Sequence, residues 1–137
     1  MSVKILSFNC RGLGGIDKRR DVLNFLKQKK FSIYLLQDTH FTANDFHLVR
    51  SIWGYEILVS PGRSDSRGVA ILFNNNFEFK IKTINRDENG NFLIVHFSSM
   101  EIDMLLVTVY GPNKDDPDFY HTLKETIPKS IHTSVAL

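Results

Sequence analysis

Residues 3–15 read Val-Lys-Ile-Leu-Ser-Phe-Asn-Cys-Arg-Gly-Leu-Gly-Gly. The apolar run from Val3 to Phe8 is short and ends in Asn9, Cys10, Arg11 and Gly12. That pattern predicts a strand buried on both faces, emptying into a turn that Gly12, Gly14 and Gly15 make flexible. Asp17 is then the expected cap of a helix reaching about Lys30, with Val22, Leu23, Phe25 and Leu26 on its apolar side. Ser32 to Gln37 follows as a second short strand of the fully buried kind. Thr42 with Asp45 three residues on resembles a capping box. Phe46, Val49 and Trp53 then give a short helix that Gly54 closes.

From Tyr55 the period changes to two. Five strands are expected: Tyr55 to Ser60, Val69 to Phe73, Phe77 to Ile84, Phe92 to Phe97 and Ile102 to Tyr110. Phe77, Phe79 and Ile81 alternate with Glu78, Lys80 and Lys82, the signature of one buried face. Pro61-Gly62, Asn74-Asn75-Asn76 and Asn89-Gly90 supply the turns, the last being the strongest hairpin signal. After Tyr110-Gly111-Pro112-Asn113, Asp116 and Pro117 open a helix carrying Phe119, Leu123 and Ile127, which Pro128 stops. Residues 131–137 read as the approach to a further buried strand. The order of elements is that of an α+β protein, with a mixed sheet and helices packed on it.

The chain has 137 residues, 42% of them hydrophobic and 23% charged, which is the composition of a folded domain rather than a disordered segment. A chain of this length buries roughly two thirds of its unfolded surface, enough for one core and not for two. No apolar run approaches the roughly 20 residues that span a bilayer, since even Met104 to Val109 is broken by Thr108. Val3 to Phe8 is too short for a secretory core and carries Lys4. The single cysteine, Cys10, leaves no internal disulfide, so an intracellular, reducing setting is expected, the nucleus included.

Net charge is +2, but it is unevenly placed. Residues 1–30 hold eight basic residues against Asp17 and Asp21, while the remainder holds nine basic and thirteen acidic ones. A basic front on an acidic body points to a polyanion-facing surface, with a solvated helix face as the alternative.

Four places carry candidate chemistry. Asn9 ends the first strand, where a polar side chain faces a cleft or simply forms a turn. Asp38 ends the second, in Tyr34-Leu35-Leu36-Gln37-Asp38-Thr39-His40; a partly desolvated carboxylate there needs a hydrogen-bond partner or a cation, and Mg²⁺ suits it. His40, two residues on, either orients that carboxylate or simply serves the turn. Tyr110 and Asn113 offer a phenol and a carboxamide to phosphate oxygens, or an aromatic core residue and a proline turn. Lys18, Arg19 and Arg20 put three cations in the first turn of a helix, where the dipole disfavours them and a phosphodiester backbone would stabilise them. Arg63 and Arg67 could extend that surface. The five histidines show no metal-ligand spacing, and the glycines at 12, 14 and 15 do not form a phosphate-binding P-loop.

Taken together, SFNCRGL (7–13), YLLQDTH (34–40), SRGVAILF (66–73) and VYGPN (109–113) resemble the endonuclease/exonuclease/phosphatase superfamily. Within it, they are most similar to the first half of the apurinic-endonuclease-like domain of LINE-type retrotransposon reverse-transcriptase proteins. That resemblance implies a four-layer, deoxyribonuclease-I-like α/β sandwich, of which residues 1–137 form about the first half, truncated at the C-terminus. It also implies hydrolysis of DNA phosphodiesters with Mg²⁺, or Mn²⁺ in its place. Asn9 matches the asparagine that helps hold the site. Asp38 stands where the family has a metal-binding Glu, one methylene shorter. Tyr110 and Asn113 match residues that contact the scissile phosphate. Lys18, Arg19 and Arg20 fall in the helix where retroelement domains are also basic, which implies DNA as the partner, with Arg11 as a further expected contact.

The family also places an Asp-x-Asn pair on a strand after the tyrosine and an Asp-His pair near the domain's end, to orient and activate water. Neither follows Tyr110. The expectation is a fragment that is inactive alone, with self-association through an unpaired sheet edge. Two alternatives accompany it: a non-catalytic nucleic-acid-binding remnant, and a phosphatase-like member of the superfamily.

Overall fold

The computed structural model describes residues 3–111, 118, 121 and 123, and the backbone of 133–136. Ile33–Gln37 has no polar residue before its last, and it forms β2, buried along its whole length. It is an interior strand of its sheet. β1 (Ile5–Asn9) runs parallel to it, Ile5 opposite Ile33 and Asn9 opposite Gln37. β4 (Val69–Phe73) runs antiparallel on the other side, and β3 (Ile57–Ser60) pairs with β4, giving the order β1-β2-β4-β3. A parallel pair needs a long crossover, and α1 (Ile16–Lys29) supplies it.

β1 departs from expectation. It starts at Ile5 rather than Val3, and its residues are half-buried or exposed instead of being buried on both faces. The reason is its position at the sheet edge, with β2 on one side only among the described strands.

α1 also differs. Gly15, not Asp17, stands at its N-cap, and Asp17 lies inside the first turn, where a carboxylate complements the helix dipole. The buried stripe is Arg19, Leu23 and Leu26, spaced four and three residues apart. Phe25, expected inside, is 49% exposed, with the Lys29 ammonium 4.7 Å above its ring.

Thr42 and Asp45 form the capping box, the Thr42 N–H donating to Asp45 Oδ2 at 2.9 Å, across the short 3-10 turn Ala43–Asp45. α2 (Phe46–Trp53) follows and ends at Gly54, whose φ of 84° lets its N–H return to Arg50 O. Leu23, Leu26, Val49 and Trp53 cover one face of the first sheet, packing on Tyr34, Leu36 and Leu72.

The second sheet is a meander of β5 (Lys80–Arg86), β6 (Phe92–Ser99) and β7 (Ile102–Val109), with β8 (Thr133–Ala136) parallel to β7. β8 falls within the segment that reads as an approaching strand. Phe77 and Phe79 precede β5 yet still pack inward with Ile81, and Phe79 stacks on Phe73 at 4.5 Å. Leu35, Ile71 and Phe73 of the first sheet meet Leu93, Val95, Phe97 and Leu106 of the second. The far face of the second sheet, Ile94, Leu105, Val107 and Val109, is covered by Leu123. Residues 118, 121 and 123 are helical; the rest of the helix expected from Pro117 lies outside the described residues. The layers are therefore helices, sheet, sheet, helix: the α/β sandwich expected from the sequence. Among the described residues no helix is long and apolar enough to cross a membrane.

Candidate active site at the strand ends

The strand registers fix which residues share an end of the sandwich. Asn9 lies opposite Gln37, Gln37 opposite Val69, and Phe92 opposite Val109. The C-terminal ends of β1, β2 and β7 therefore lie together with the starts of β4 and β6. Gln37 staples the two sheets there. Its Nε2 donates to Thr108 Oγ1 at 2.9 Å and to Leu35 O at 3.1 Å, while its Oε1 accepts from Ser7 Oγ at 3.3 Å. Gln37 is not among the candidates singled out from the sequence. The available signal is a carboxamide at the end of a wholly apolar strand, which must find buried partners.

Beyond the strands, the ladder continues through the loops. Gly12 N donates to Asp38 O, Leu13 N to Thr39 O, Thr39 N to Gly68 O and His40 N to Arg67 O, all at 2.8–2.9 Å. Asp38, Thr39 and His40 are thus strung between the loop after β1 and the loop before β4. This geometry has a conformational cost. Arg11, Asp38, His40 and Arg67 all adopt positive φ, between 51° and 66°. Such backbone is uncommon outside glycine, and its concentration at one strand end marks a place where position outweighs strain.

A second close approach lies beside it. Gly68 N donates to Gly90 O at 2.9 Å, and a Cβ built on Gly90 would come within 2.7 Å of Gly62 Cα, Gly68 N and Pro61 O. The β5–β6 turn is thereby pressed onto the loop that holds His40.

The candidate residues are distributed as follows. Asn9 is exposed, and its Oδ1 accepts the Arg11 N–H at 3.1 Å. Asp38 is 23% exposed; its Oδ1 lies 2.8 Å from His40 Nε2, and no described residue donates to Oδ2. Tyr110, half-buried against the inter-sheet core, begins the loop after β7, its N–H donating to Asn91 O at 2.7 Å. Asn113 lies outside the described residues. Asn9, Asp38 and Tyr110 thus occupy the ends of three strands that finish at the same end of the molecule.

The basic turn divides. Lys18 and Arg20 are exposed, as is Arg11, whose carbonyl lies 3.5 Å from Lys18 Nζ. Arg19 points inward, 2% exposed, with Nε donating to Leu13 O at 2.9 Å. Its guanidinium lies 3.5 Å from Asp45 and 5.3 Å from the centre of the Phe41 ring. The cations this turn offers to solvent are therefore Lys18 and Arg20, not Arg19.

The Cys10 thiol is buried beside Asp38. Burial, reinforced by the negative charge of Asp38 and opposed by Lys18, pushes its thiol up to about 12, so it stays protonated at neutral pH. Asp45 goes the other way. Burial raises its carboxyl, but the two Thr42 donors and Arg19 together outweigh that and hold it below the usual carboxylate range.

As to a metal, Asp38 offers one hard oxygen, which suits a Mg²⁺ ion that takes one or two carboxylates and completes its shell with water and phosphate. No group of three or more His, Cys, Asp or Glu side chains able to hold an ion occurs among the described residues. The single Asp-x-Asn triplet of the chain, Asp87-Glu88-Asn89, precedes Tyr110 in the β5–β6 turn, and Asp87 Oδ2 is taken by the Asn91 N–H at 2.9 Å. Two clefts lie at the opposite end of the sandwich. One of about 380 Å³ is bordered by Arg50 and Tyr55, the other of about 390 Å³ by Phe77 and Met100.

Comparison with solved structures identifies the fold. The AP endonuclease LMAP from Leishmania major superposes with a TM-score of 0.69 at 18% identity, over 89% of this chain and 46% of that one. TDP2 from D. rerio, complexed with a single-strand DNA product, gives 0.69 at 16% identity, over 97% and 58%. The endonuclease domain of TRAS1, a telomere-specific non-LTR retrotransposon, gives 0.62 at 15% identity, over 93% and 54%. No protein-family model matches the chain. At these identities what is shared is the fold, the deoxyribonuclease-I-like sandwich of the endonuclease/exonuclease/phosphatase superfamily. The chain spans about half the length of the structures it matches.

Proposed function

We propose that this chain, with its deoxyribonuclease-I-like fold, carries the first part of a divalent-metal phosphodiesterase site of the LINE-type retrotransposon endonuclease kind, directed at DNA. The observation that carries the reading is Asp38: a half-buried carboxylate on a strained strand end, one oxygen held by His40 and the other without a described donor, between the strand ends of Asn9 and Tyr110. Asp38 would hold the Mg²⁺, or Mn²⁺ in its place. When bound, the ion polarises the phosphoryl group and draws the nucleophile's proton off more easily. Asn9 braces the loop through its turn with Arg11, and Tyr110 and Asn113 contact the scissile phosphate. Arg11, Lys18 and Arg20 meet backbone phosphates, while the buried Arg19 holds the loop from beneath.

Nothing after Tyr110 in this sequence supplies an Asp-x-Asn pair or an Asp-His pair, so on this reading the 137 residues taken alone are expected to bind DNA and not to cut it. This is also the content of the binding-remnant reading, which differs only in assigning no ion to Asp38. The open edge of β1 is a further proposed contact, pairing copies of the chain in solution.

Supercoiled plasmid with Mg²⁺ tests turnover, and fluorescence anisotropy of a DNA duplex across a salt series tests binding. The expected result is no nicked circle above background, together with binding that weakens steeply with salt and weakens further in Lys18→Glu and Arg20→Glu. Nicking that disappears in Asp38→Ala would overturn the inactive reading. Affinity that stays flat across ionic strength would overturn the DNA-facing one. Phosphate release from small phosphoesters, absent on DNA, would favour a phosphatase instead.

A further inference from the structure

We infer that His40 is a positioning residue for Asp38, seated on Gly12, and that it fixes one carboxylate oxygen so that the other is presented to the ion. The inference rests on the reading of Asp38 as the metal-holding residue and assigns the group that orients it.

A carboxylate accepts and does not donate, so the 2.8 Å contact makes His40 Nε2 the protonated nitrogen, at the length of a charge-assisted hydrogen bond. An aspartate has only two side-chain torsions. One such bond at Oδ1, on a half-buried carboxylate, therefore narrows the orientations open to it.

The ring is itself held. A Cβ built on Gly12 would lie 2.7 Å from His40 Nδ1 and 2.8 Å from Cε1, so the imidazole occupies the space that any other residue at 12 would fill. Gly12 has φ +90°, and its N–H donates to Asp38 O at 2.8 Å. The same glycine thus seats the ring and anchors the backbone of the residue the ring orients. His40 N, bonded to Arg67 O, closes the arrangement from the other side. Residues that orient a metal ligand in this way commonly change affinity by 10- to 100-fold when removed.

The test is calorimetric titration of the 137-residue chain with Mn²⁺ alone, with ¹⁵N spectra of the imidazoles as an independent readout. The expected result is binding in the wild type, loss in Asp38→Asn and weakening of about tenfold or more in His40→Ala. His40→Gln, whose amide can donate to the same oxygen, restores most of the affinity. Gly12→Ala, strained at φ +90° and set against the ring, weakens binding as well. The imidazole spectrum shows Nε2 protonated, with a shift in Asp38→Asn.

Wild-type affinity in His40→Ala, with binding lost in Asp38→Asn, would overturn the positioning role and leave the metal reading intact. Binding that is absent in the wild type, or indifferent to Asp38→Asn, would overturn both. Complete loss in His40→Ala without recovery in His40→Gln would make the imidazole a direct ligand and overturn the inference as stated. A ring with Nε2 unprotonated, or unaffected by Asp38→Asn, would overturn it whatever the variants' stability.

Discussion

Along α1, residues 19, 23 and 26 recur at the helical period and share the face turned to the first sheet, so Arg19 occupies a core position between leucines. Its charge is tolerated because Leu13 O, Asp45 and the Phe41 ring surround it. Replacing it with Met keeps the aliphatic stem but leaves the Leu13 carbonyl without its side-chain donor, at a cost of about 1–3 kcal/mol. A lowered urea midpoint for Arg19→Met at neutral pH is the measurement, and an unchanged midpoint would refute the account. The same variant alters the acid response. A carboxyl held low in the folded state contributes stability that is complete above the ordinary carboxylate range and is lost as pH falls through the lowered value. Part of Asp45's contribution comes from Arg19, so Arg19→Met loses part of that acid-dependent stability. This role was not legible in the sequence. Three consecutive cations read as one surface patch, and only the Leu23 and Leu26 spacing separates the middle one from its neighbours.

Among the elements, those with chemical punctuation at both ends were the most legible. α2 has a capping box before it and a left-handed glycine after it, and both stand where Thr42, Asp45 and Gly54 predict them. Thr42→Ala removes the hydroxyl from that box. We expect a loss of about 1 kcal/mol in thermal or urea unfolding, with the Thr42→Ser variant close to wild type. Strand boundaries were less legible. Phe77 and Phe79 alternate as a strand would, and they do face inward, but β5 itself begins only at Lys80. An alternating pattern reports which side a residue faces and not whether its backbone has a ladder partner. β1 illustrates the same limit from the other direction. An apolar run is equally consistent with a central strand and with an edge strand whose faces are partly open, and here it is the edge.

At the scale of the molecule, the four motif segments fall where the fold needs them, at the ends of β1, β2 and β7 and at the start of β4. The placement of Asn9, Asp38 and Tyr110 at one end was therefore readable from motif order. The contact of His40 with Gly12 was not, because it depends on two left-handed residues whose conformation no local pattern announces. The open side of β1 carries the remaining prediction. Backbone donors and acceptors on its outer side have no partner among the described strands, and such groups favour pairing with another chain. Sedimentation velocity over a wide concentration range is expected to show mass increasing with concentration, and a monomer throughout would refute the proposal.

The glycine contact between Gly62, Gly68 and Gly90 bears on how such a sequence can drift. The β3–β4 loop of one sheet and a hairpin from the other touch there without room for a single methyl group. Substitutions at these three positions are therefore disfavoured together, and the Asn89-Gly90 turn cannot lengthen without pushing on the loop that holds His40. At the other end the β6–β7 turn at Met100 borders an open cleft instead, where an added residue meets no such glycine contact. The hairpin of the second sheet thereby sets the length of the loop on which the Asp38 end of the first sheet rests.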